Sequence, residues 1–210
     1  MCAMQISENP LFTPAEAAVL TRLSVKAVNN AIDKKAVPAV TGSRGGHTTR
    51  LLDLQALMAL ALERRLTDRF VPELRRAVFD AMSHGSRNTV SLDDGFLKID
   101  LREPRRELAT SLRSLRRSRQ LVVNDPDILG GESVFRGTRV PVHLIATLLA
   151  QGSTETDLRE AYPRLTTEML HAAPIYAAAY PQRGRPRAHP WHRQPPAHRT
   201  RRKLATIEVA

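Results

Sequence analysis

Short apolar segments at helical spacing, each closed by a proline, a glycine or a capping residue, are the feature that most constrains the fold of this chain. Aromatic residues make up only 4% of the 210 residues, whereas hydrophobic residues make up 42%. The interior must therefore be built mainly from leucine, valine, isoleucine and alanine, which favours small helical units. No apolar run approaches the roughly 20 residues that span a bilayer. We therefore expect a mainly α protein outside the membrane.

The cysteine content and the first residues exclude several classes of protein. Cys2 is the only cysteine, so an internal disulfide and a zinc site built from several thiolates are both excluded. The opening sequence MCAMQISENP lacks the basic-then-apolar pattern of a secretion signal, which predicts a cytoplasmic protein. No Ser/His/Asp or Cys/His arrangement of any specificity is present. We expect no catalytic residues, no cofactor and no metal site.

The segment 13–35 has the pattern of two short helices joined by a tight turn. The sequence TPAE at 13–16 forms a capping box with proline at the first helical position, which predicts a helix from 14 to about 20. A three-residue turn follows, and Ser24 caps a second helix from 25 to about 35. This arrangement predicts a helix-turn-helix.

A glycine-rich stretch follows these two helices. Glycines at 42, 45 and 46 separate short β-prone runs, which predicts a β-hairpin or wing near residues 40–52. Asp53 then caps a leucine-rich helix, and another helix runs from 72 to about 82. We assign residues 1–84 to a winged helix-turn-helix DNA-binding domain.

The second helix of this domain carries the candidate DNA contacts. Val25, Val28 and Ile32 have the spacing of a buried face, which leaves amide and ammonium groups on the outer face. Such groups suit base edges in the major groove, while arginines of the wing suit the phosphate backbone. The alternative is a plain helical hairpin with a solvated second helix. The predicted DNA-binding residues are Lys26, Asn29, Asn30, Lys34, Arg44 and Arg50.

The middle of the chain connects two helical modules. The polar segment 83–88 marks a boundary, and Asp94-Gly95 within alternating apolar and polar residues predicts a hairpin. A charged helix from about 103 to 118 follows. We assign residues 85–120 to this hairpin and connecting helix.

Residues 121–181 predict a second small module. The pattern is a short strand, a glycine-punctuated loop and helices near 142–151, 155–161 and 167–180. Pro174 falls inside the last helix, where a proline removes one backbone hydrogen bond and costs about 3 kcal/mol unless the helix begins later or kinks.

The glycine- and arginine-containing sequence RGTRVPV at 136–142 admits two interpretations. A phosphate-binding loop is one, but the lysine and the strand-loop-helix spacing of a Walker motif are missing. We therefore interpret it as a structural turn. We likewise assign Asp125, Asp127 and Glu132 to turn chemistry rather than to a metal site.

This second module resembles a widespread bacterial domain of formerly unknown function (DUF class) that occurs in VapB-like type II antitoxins. The resemblance rests on four motifs, which here are DPDILGG from 125, RGTRVPV from 136, LLAQG from 148 and YPRL from 162. It implies a small helix-turn-helix-like bundle and a partner that is a PIN-domain, VapC-like ribonuclease toxin. The first domain is similar to the winged helices often placed ahead of this one.

The resemblance implies an antitoxin that neutralises the toxin and represses its own operon by binding operator DNA. We expect a homodimer, because palindromic operators match two-fold symmetric proteins. The alternative is a stand-alone DNA-binding transcriptional regulator with a non-specific basic tail.

The last 29 residues, 182–210, concentrate the positive charge of the chain. They hold eight basic side chains and one acid, so +7 of the total net charge of +11 lies there. Proline, arginine and histidine dominate without any hydrophobic period, which predicts disorder in the free protein. The tail is interpreted either as a non-specific nucleic-acid arm or as a segment that folds onto the toxin. The predicted toxin-binding residues are Arg183, Arg185, Arg187 and Trp191.

Overall fold

The fold is mainly α, as the sequence predicts. The computed structural model describes residues 10–44, 46–66, 70–83 and 88–182. In these ranges the chain forms eight α-helices and three two-stranded antiparallel sheets. The helices are α1 (Pro14–Thr21), α2 (Val25–Asp33), α3 (Leu54–Leu66), α4 (Pro72–Ser83), α5 (Arg102–Gln120), α6 (Val142–Ala150), α7 (Glu155–Ala161) and α8 (Thr167–Ala179). The strands are β1 (Val40–Arg44), β2 (His47–Leu51), β3 (Thr89–Leu92), β4 (Leu97–Asp100), β5 (Val122–Asn124) and β6 (Ser133–Phe135).

The first two helices begin where their capping residues predict. Thr13 and Glu16 form the reciprocal capping box of α1, and the Ser24 hydroxyl accepts from the Ala27 amide at the start of α2. Arg22 has a φ of 57°, which ends α1 and turns the chain into α2. Helix α2 ends at Asp33 rather than near residue 35, because Lys35 adopts a left-handed backbone with a φ of 54°. A left-handed residue terminates a helix in the same way as a C-terminal glycine does.

The predicted wing is an antiparallel hairpin of β1 and β2. Val40 pairs with Leu51 at its base and Arg44 with His47 at its tip. Gly42 in the middle of β1 lies close to Leu51, since a Cβ there would lie 2.6 Å from the Leu51 Cδ1 and that side chain would have to move. Leu51 itself is buried, and Leu52 directly after β2 belongs to the core.

A large core joins the first domain to the segment predicted as a connector. Its buried members come from α1, α2, α3 and α4 and also include Val90, Leu101, Leu108 and Leu115. The last three lie at or within α5, so α5 packs along its length on α1 and α3 instead of merely linking two modules. The described part of this segment, residues 88–120, thus shares the hydrophobic core of the residues before it.

The second module contains the predicted helices and one additional strand. Strand β5 pairs with β6, which the sequence analysis did not predict, and α6, α7 and α8 close over Phe135. Helix α8 also reaches the first core through Ala179. It belongs to both cores and ties the two modules together.

Helix α8 spans the predicted range and contains Pro174 in its interior. The helix begins at Thr167 with its Thr166 cap and continues through Pro174 to Ala179. Pro174 is exposed, while Ala173 and Tyr176 beside it are buried. The packed residues on both sides of the proline hold the helix and offset the backbone hydrogen bond that proline cannot donate.

Among the residues that the structure describes, none of the helices combines the length and the apolar composition needed to cross a membrane.

Candidate nucleic-acid interface

A shallow groove lies between the start of α2 and the β1–β2 hairpin. Its walls carry hydroxyl, amide and guanidinium groups together with small apolar side chains. The lining residues are Pro14, Ala15, Val25, Asn29, Thr41, Thr48, Thr49, Arg50 and Pro181. Hydroxyl, amide and guanidinium donors are the groups that proteins use on phosphate oxygens.

Arg50 connects the hairpin to α2 across this groove. Its Nη2 donates to the Asn29 Oδ1 at 2.6 Å, and its Nη1 forms an ion pair with Asp33. The Asn29 side-chain oxygen is therefore occupied, and its amide nitrogen remains the available donor. The contact fixes the position of the hairpin relative to the polar face of α2.

Three of the predicted DNA-binding side chains project from α2 into solvent. Lys26, Asn30 and Lys34 are exposed, and their side chains make no hydrogen bond or ion pair with any described residue. The outer face of α2 therefore presents two ammonium groups and one amide.

Val25 does not face the core, contrary to the sequence analysis. It is 43% exposed, whereas Val28 is fully buried and Ile32 is partly buried against the core. The reason is its place on the helix: Val25 lies one turn before Asn29 and shares that side of α2, where both line the groove. It adds an apolar contact to a polar surface.

Arg44 turns back from the hairpin tip toward the start of α1. Its Nη1 donates to the Leu11 carbonyl at 2.8 Å and to the Glu16 Oε2 at 3.1 Å. Its side chain remains 38% exposed, so part of the guanidinium faces solvent.

Glu16 is the centre of a buried network that the sequence analysis did not find. The side chain is fully buried, and its Oε2 accepts from the Thr13 amide at 2.8 Å as well as from Arg44. Its Oε1 accepts from Arg119 at 3.0 Å and from the Tyr180 hydroxyl at 2.6 Å. One carboxylate thus joins α1, the hairpin, the end of α5 and the end of α8. A capping box predicts only the first of these contacts.

Tyr180 closes this network on the side of the C-terminal module. The Arg119 guanidinium lies 5.4 Å from the centre of its ring, and the Tyr176 ring packs at 4.7 Å. Burial, followed by the hydrogen bond to Glu16, raises the pKa of the Tyr180 hydroxyl well above its usual value. The hydroxyl therefore stays protonated at neutral pH and donates its hydrogen bond to Glu16.

The predicted toxin-binding residues Arg183, Arg185, Arg187 and Trp191 lie outside the described residues, which end at Gln182. The chain reaches that point beside the groove, because Pro181 is one of its lining residues.

The RGTRVPV segment forms a tight turn after β6. Gly137 has a φ of 76°, and the Thr138 hydroxyl donates to the Phe135 carbonyl at 2.9 Å. Arg136 donates from its Nε to the Gln120 carbonyl at 3.1 Å. Asp125 accepts from the Asp127 amide at 2.9 Å in the preceding loop. These contacts are internal to the fold and support the structural interpretation.

Comparison with known proteins identifies relatives for most of the chain. The family described as "Protein of unknown function (DUF433)" matches residues 122–177. The uncharacterized protein y4eO of Sinorhizobium fredii is 37% identical over 183 residues, which cover 82% of this chain and 83% of y4eO. The crystal structure of Rv2018 from Mycobacterium tuberculosis is 17% identical, with 79% of this chain and 97% of that chain covered, but its TM-score of 0.33 supports no inference. This chain belongs to the same family as y4eO of Sinorhizobium fredii, with DUF433 at residues 122–177.

Proposed function

We propose that this protein is a DNA-binding regulator of the antitoxin type. In this proposal α1 and α2 act as a helix-turn-helix with the β1–β2 hairpin as its wing, and the protein works in the cytoplasm as a homodimer on operator DNA. The DUF433 region and the tail bind and silence a PIN-domain, VapC-like ribonuclease toxin.

The observation that carries the DNA-binding part is the polar face of α2 beside the hairpin. Lys26, Asn30 and Lys34 are exposed and unpaired among the described residues. An α-helix is about 10–12 Å across with its side chains, which fits a major groove about 12 Å wide. The threonines of the hairpin and Arg50 line the adjacent groove, where they suit phosphate oxygens. The face therefore combines base-reading and backbone-binding groups.

The Arg50 contact changes the role expected of Asn29. An asparagine reads adenine with its oxygen and its nitrogen together, but the Asn29 oxygen already accepts from Arg50. Asn29 then serves to position the wing, and Asn30 is the better candidate for a base contact.

A gel-shift experiment with the DNA upstream of the gene tests this part. K26A/N30A removes one cation and one amide from the exposed face of α2, and we expect it to abolish the specific shift. The matched control Q151A/R159A likewise removes one cation and one amide, from exposed positions of the DUF433 region. Equal shifts for both variants would remove the recognition-helix assignment. The single variant N29A removes only the Arg50 contact, and a weaker but still specific shift would support the positioning role of Asn29.

The antitoxin part rests on the resemblance of the DUF433 motifs and on the chemistry of the tail. A planar guanidinium can pair with two oxygens of a carboxylate, as would suit the metal-binding acids of a nuclease. R183K/R185K/R187K keeps the charge but loses this fork, so inhibition of the toxin should fall while non-specific DNA affinity hardly changes. W191A should weaken inhibition by removing an apolar anchor. The assay is ribonuclease activity of the adjacent gene product titrated with each variant, and full inhibition by both would exclude tail insertion.

A second candidate is a stand-alone regulator whose tail strengthens DNA binding. Pro181 favours it, because the tail starts beside the groove of the proposed DNA interface. Co-purification with the product of the neighbouring gene separates the two candidates: a PIN-type partner favours the antitoxin, and its absence favours the stand-alone regulator.

A further inference from the structure

Helix α5 is strongly basic, and its charge is arranged on one side. Its 19 residues contain seven arginines and two glutamates. Leu108, Leu115 and Ser118 are buried on the opposite side, against the core. The arginines are all exposed, at positions 102, 105, 106, 113, 116, 117 and 119.

Ion pairs neutralise part of this surface. Arg102 pairs with Asp100 at 2.7 Å, Arg106 with Glu103 at 3.3 Å, and Arg117 with Glu168. Arg113 and Arg116 make no ion pair within the part of the chain that the structure describes. Arg113 donates only to the neutral Thr110 hydroxyl, at 3.0 Å. These two guanidinium groups are available for an external anion.

Four of the arginines lie in one stripe along the helix, interrupted at Ala109. At 100° per residue, positions 102, 106, 113 and 116 lie within an arc of about 80°. Their 14-residue separation corresponds to about 21 Å along the helix axis. The same length of duplex DNA carries about 12 phosphate charges. The stripe is therefore long enough to face several phosphates of a duplex.

The end of α5 lies next to the hairpin of the proposed DNA interface. Arg119 and Arg44 donate to the two oxygens of the same Glu16 carboxylate, which places the last turn of α5 beside the β1–β2 hairpin. A duplex that contacts the hairpin can therefore continue toward α5.

We propose that the exposed arginine stripe of α5 is a sequence-independent binding surface for the phosphate backbone of duplex DNA. It rests on the proposed function only in its choice of DNA as the polyanion. An acidic protein is the other class of partner for such a surface, but protein interfaces have aromatic or aliphatic anchors at their centre. The large exposed hydrophobic side chains of the described residues all lie on other elements.

The test uses a labelled duplex of random sequence and fluorescence anisotropy at several salt concentrations. R113Q/R116Q removes two unpaired guanidinium groups, and the slope of log Kobs against log salt should become shallower by about 2. This corresponds to a loss of affinity of about 60-fold at 0.1 M salt if wild type and variant bind equally at 1 M. The matched control R159Q/R164Q removes two exposed arginines from the DUF433 region and should leave the slope unchanged.

Equal slopes for wild type and R113Q/R116Q would overturn the proposal. If R113Q/R116Q instead no longer binds the toxin and keeps the wild-type slope of log Kobs against log salt, the stripe is a protein interface and the proposal also fails. Circular dichroism and the melting temperature must match wild type, as expected for exposed positions.

The same assay separates this proposal from the proposed function. K26A/N30A should lose its preference for operator DNA and keep most of the salt slope on random-sequence DNA. R113Q/R116Q should weaken binding to operator and random-sequence DNA equally. If the wild-type protein shows no sequence preference but R113Q/R116Q still reduces the slope, operator recognition fails and the stripe stands.

Discussion

The DUF433 region and the region before it are held together in different ways. In the DUF433 region, many defining contacts are local: Thr154 and Asp157 cap α7 reciprocally, Thr166 caps α8, and the turn at Gly137 closes on Phe135. The residues that make each of these contacts lie three positions apart in the sequence, so short motifs are enough to recognise the region.

The N-terminal region depends on contacts between distant residues. Glu16 bonds to Arg119 across 103 residues and to Tyr180 across 164 residues. The hairpin is placed by Arg44 and Arg50, which reach other elements. Here the hydrophobic core is supplemented by polar contacts that only the folded chain brings together. The two regions nevertheless share α8, which is buried in both cores.

The largest effect is expected from Phe135→Ala, which attacks the centre of the DUF433 core. Phe135 is fully buried, and a truncation of this kind costs about 3–5 kcal/mol. We expect the free energy of unfolding to be lower in the variant. Because α8 packs on both cores, the whole chain should still unfold in a single transition. Urea denaturation followed by circular dichroism measures it. Two separate transitions would show that the cores unfold independently.

The next effect is expected from Glu16→Gln, which attacks the long-range network. Breaking a buried ion pair costs about 3–5 kcal/mol, but Arg44 and Arg119 are partly exposed, which reduces the expected loss to about 2–3 kcal/mol. Tyr180→Phe keeps the ring under Arg119 and loses only the hydrogen bond, so we expect about 1–2 kcal/mol. Denaturation midpoints of the two variants test this order. The network hypothesis fails if Glu16→Gln costs no more than Tyr180→Phe.

Local signals in the sequence predict most of the helices. Thr13, Ser24 and Asp53 mark three helix starts, and the side-chain oxygen of each accepts from a backbone amide near its helix start. Glycine-centred patterns predict both the β1–β2 and the β3–β4 hairpins. Such features follow from backbone chemistry within a few residues, which a sequence displays directly.

The features that the sequence does not reveal depend on tertiary contacts. The sequence around Glu16 has the pattern of any capping box. Only the packing of α5 and α8 makes its carboxylate the buried centre of the network. Val25 has the spacing of a core residue, yet the groove leaves it exposed. Strand β6 is three residues long and carries no periodicity of its own. For the candidate site, the sequence predicts the residues of α2 and the hairpin but not the Arg50–Asn29 contact between them.

A smaller effect is expected from Gly137→Val, which attacks a local turn of the DUF433 region. The φ of 76° is closed to β-branched residues, whereas a Cβ at this position would meet no atom within 4 Å. The cost is therefore backbone strain alone, about 1–2 kcal/mol. Gly137→Asn is the matched control, because asparagine tolerates a left-handed backbone. A thermal melt of both variants measures the difference, and a Gly137→Val protein as stable as Gly137→Asn would show that the turn is permissive.

The smallest effect concerns the pH dependence of the DUF433 region through His143. Desolvation by burial lowers the pKa of its imidazole, against a smaller opposing effect of the Glu132 carboxylate. Its buried Nδ1 makes no hydrogen bond within the described residues, and the Tyr176 ring lies 6.2 Å away. Since the folded pKa is below the unfolded value of about 6.5, the unfolded state binds the proton more readily.

The contribution of His143 to stability is therefore complete above the unfolded pKa and declines as the pH falls below it. His143→Gln should flatten the fall in melting temperature between pH 7 and pH 5. The corresponding change in the free energy of unfolding is a fraction of a kcal/mol, because the ring is partly solvated. His171→Gln is the control, since His171 is exposed on α8 and bonds to Glu155 at the surface. The quantity to compare is the change in melting temperature over this pH range for the three proteins. If the melting temperature of His143→Gln falls with pH as steeply as that of wild type, burial of the neutral imidazole is not a source of acid sensitivity.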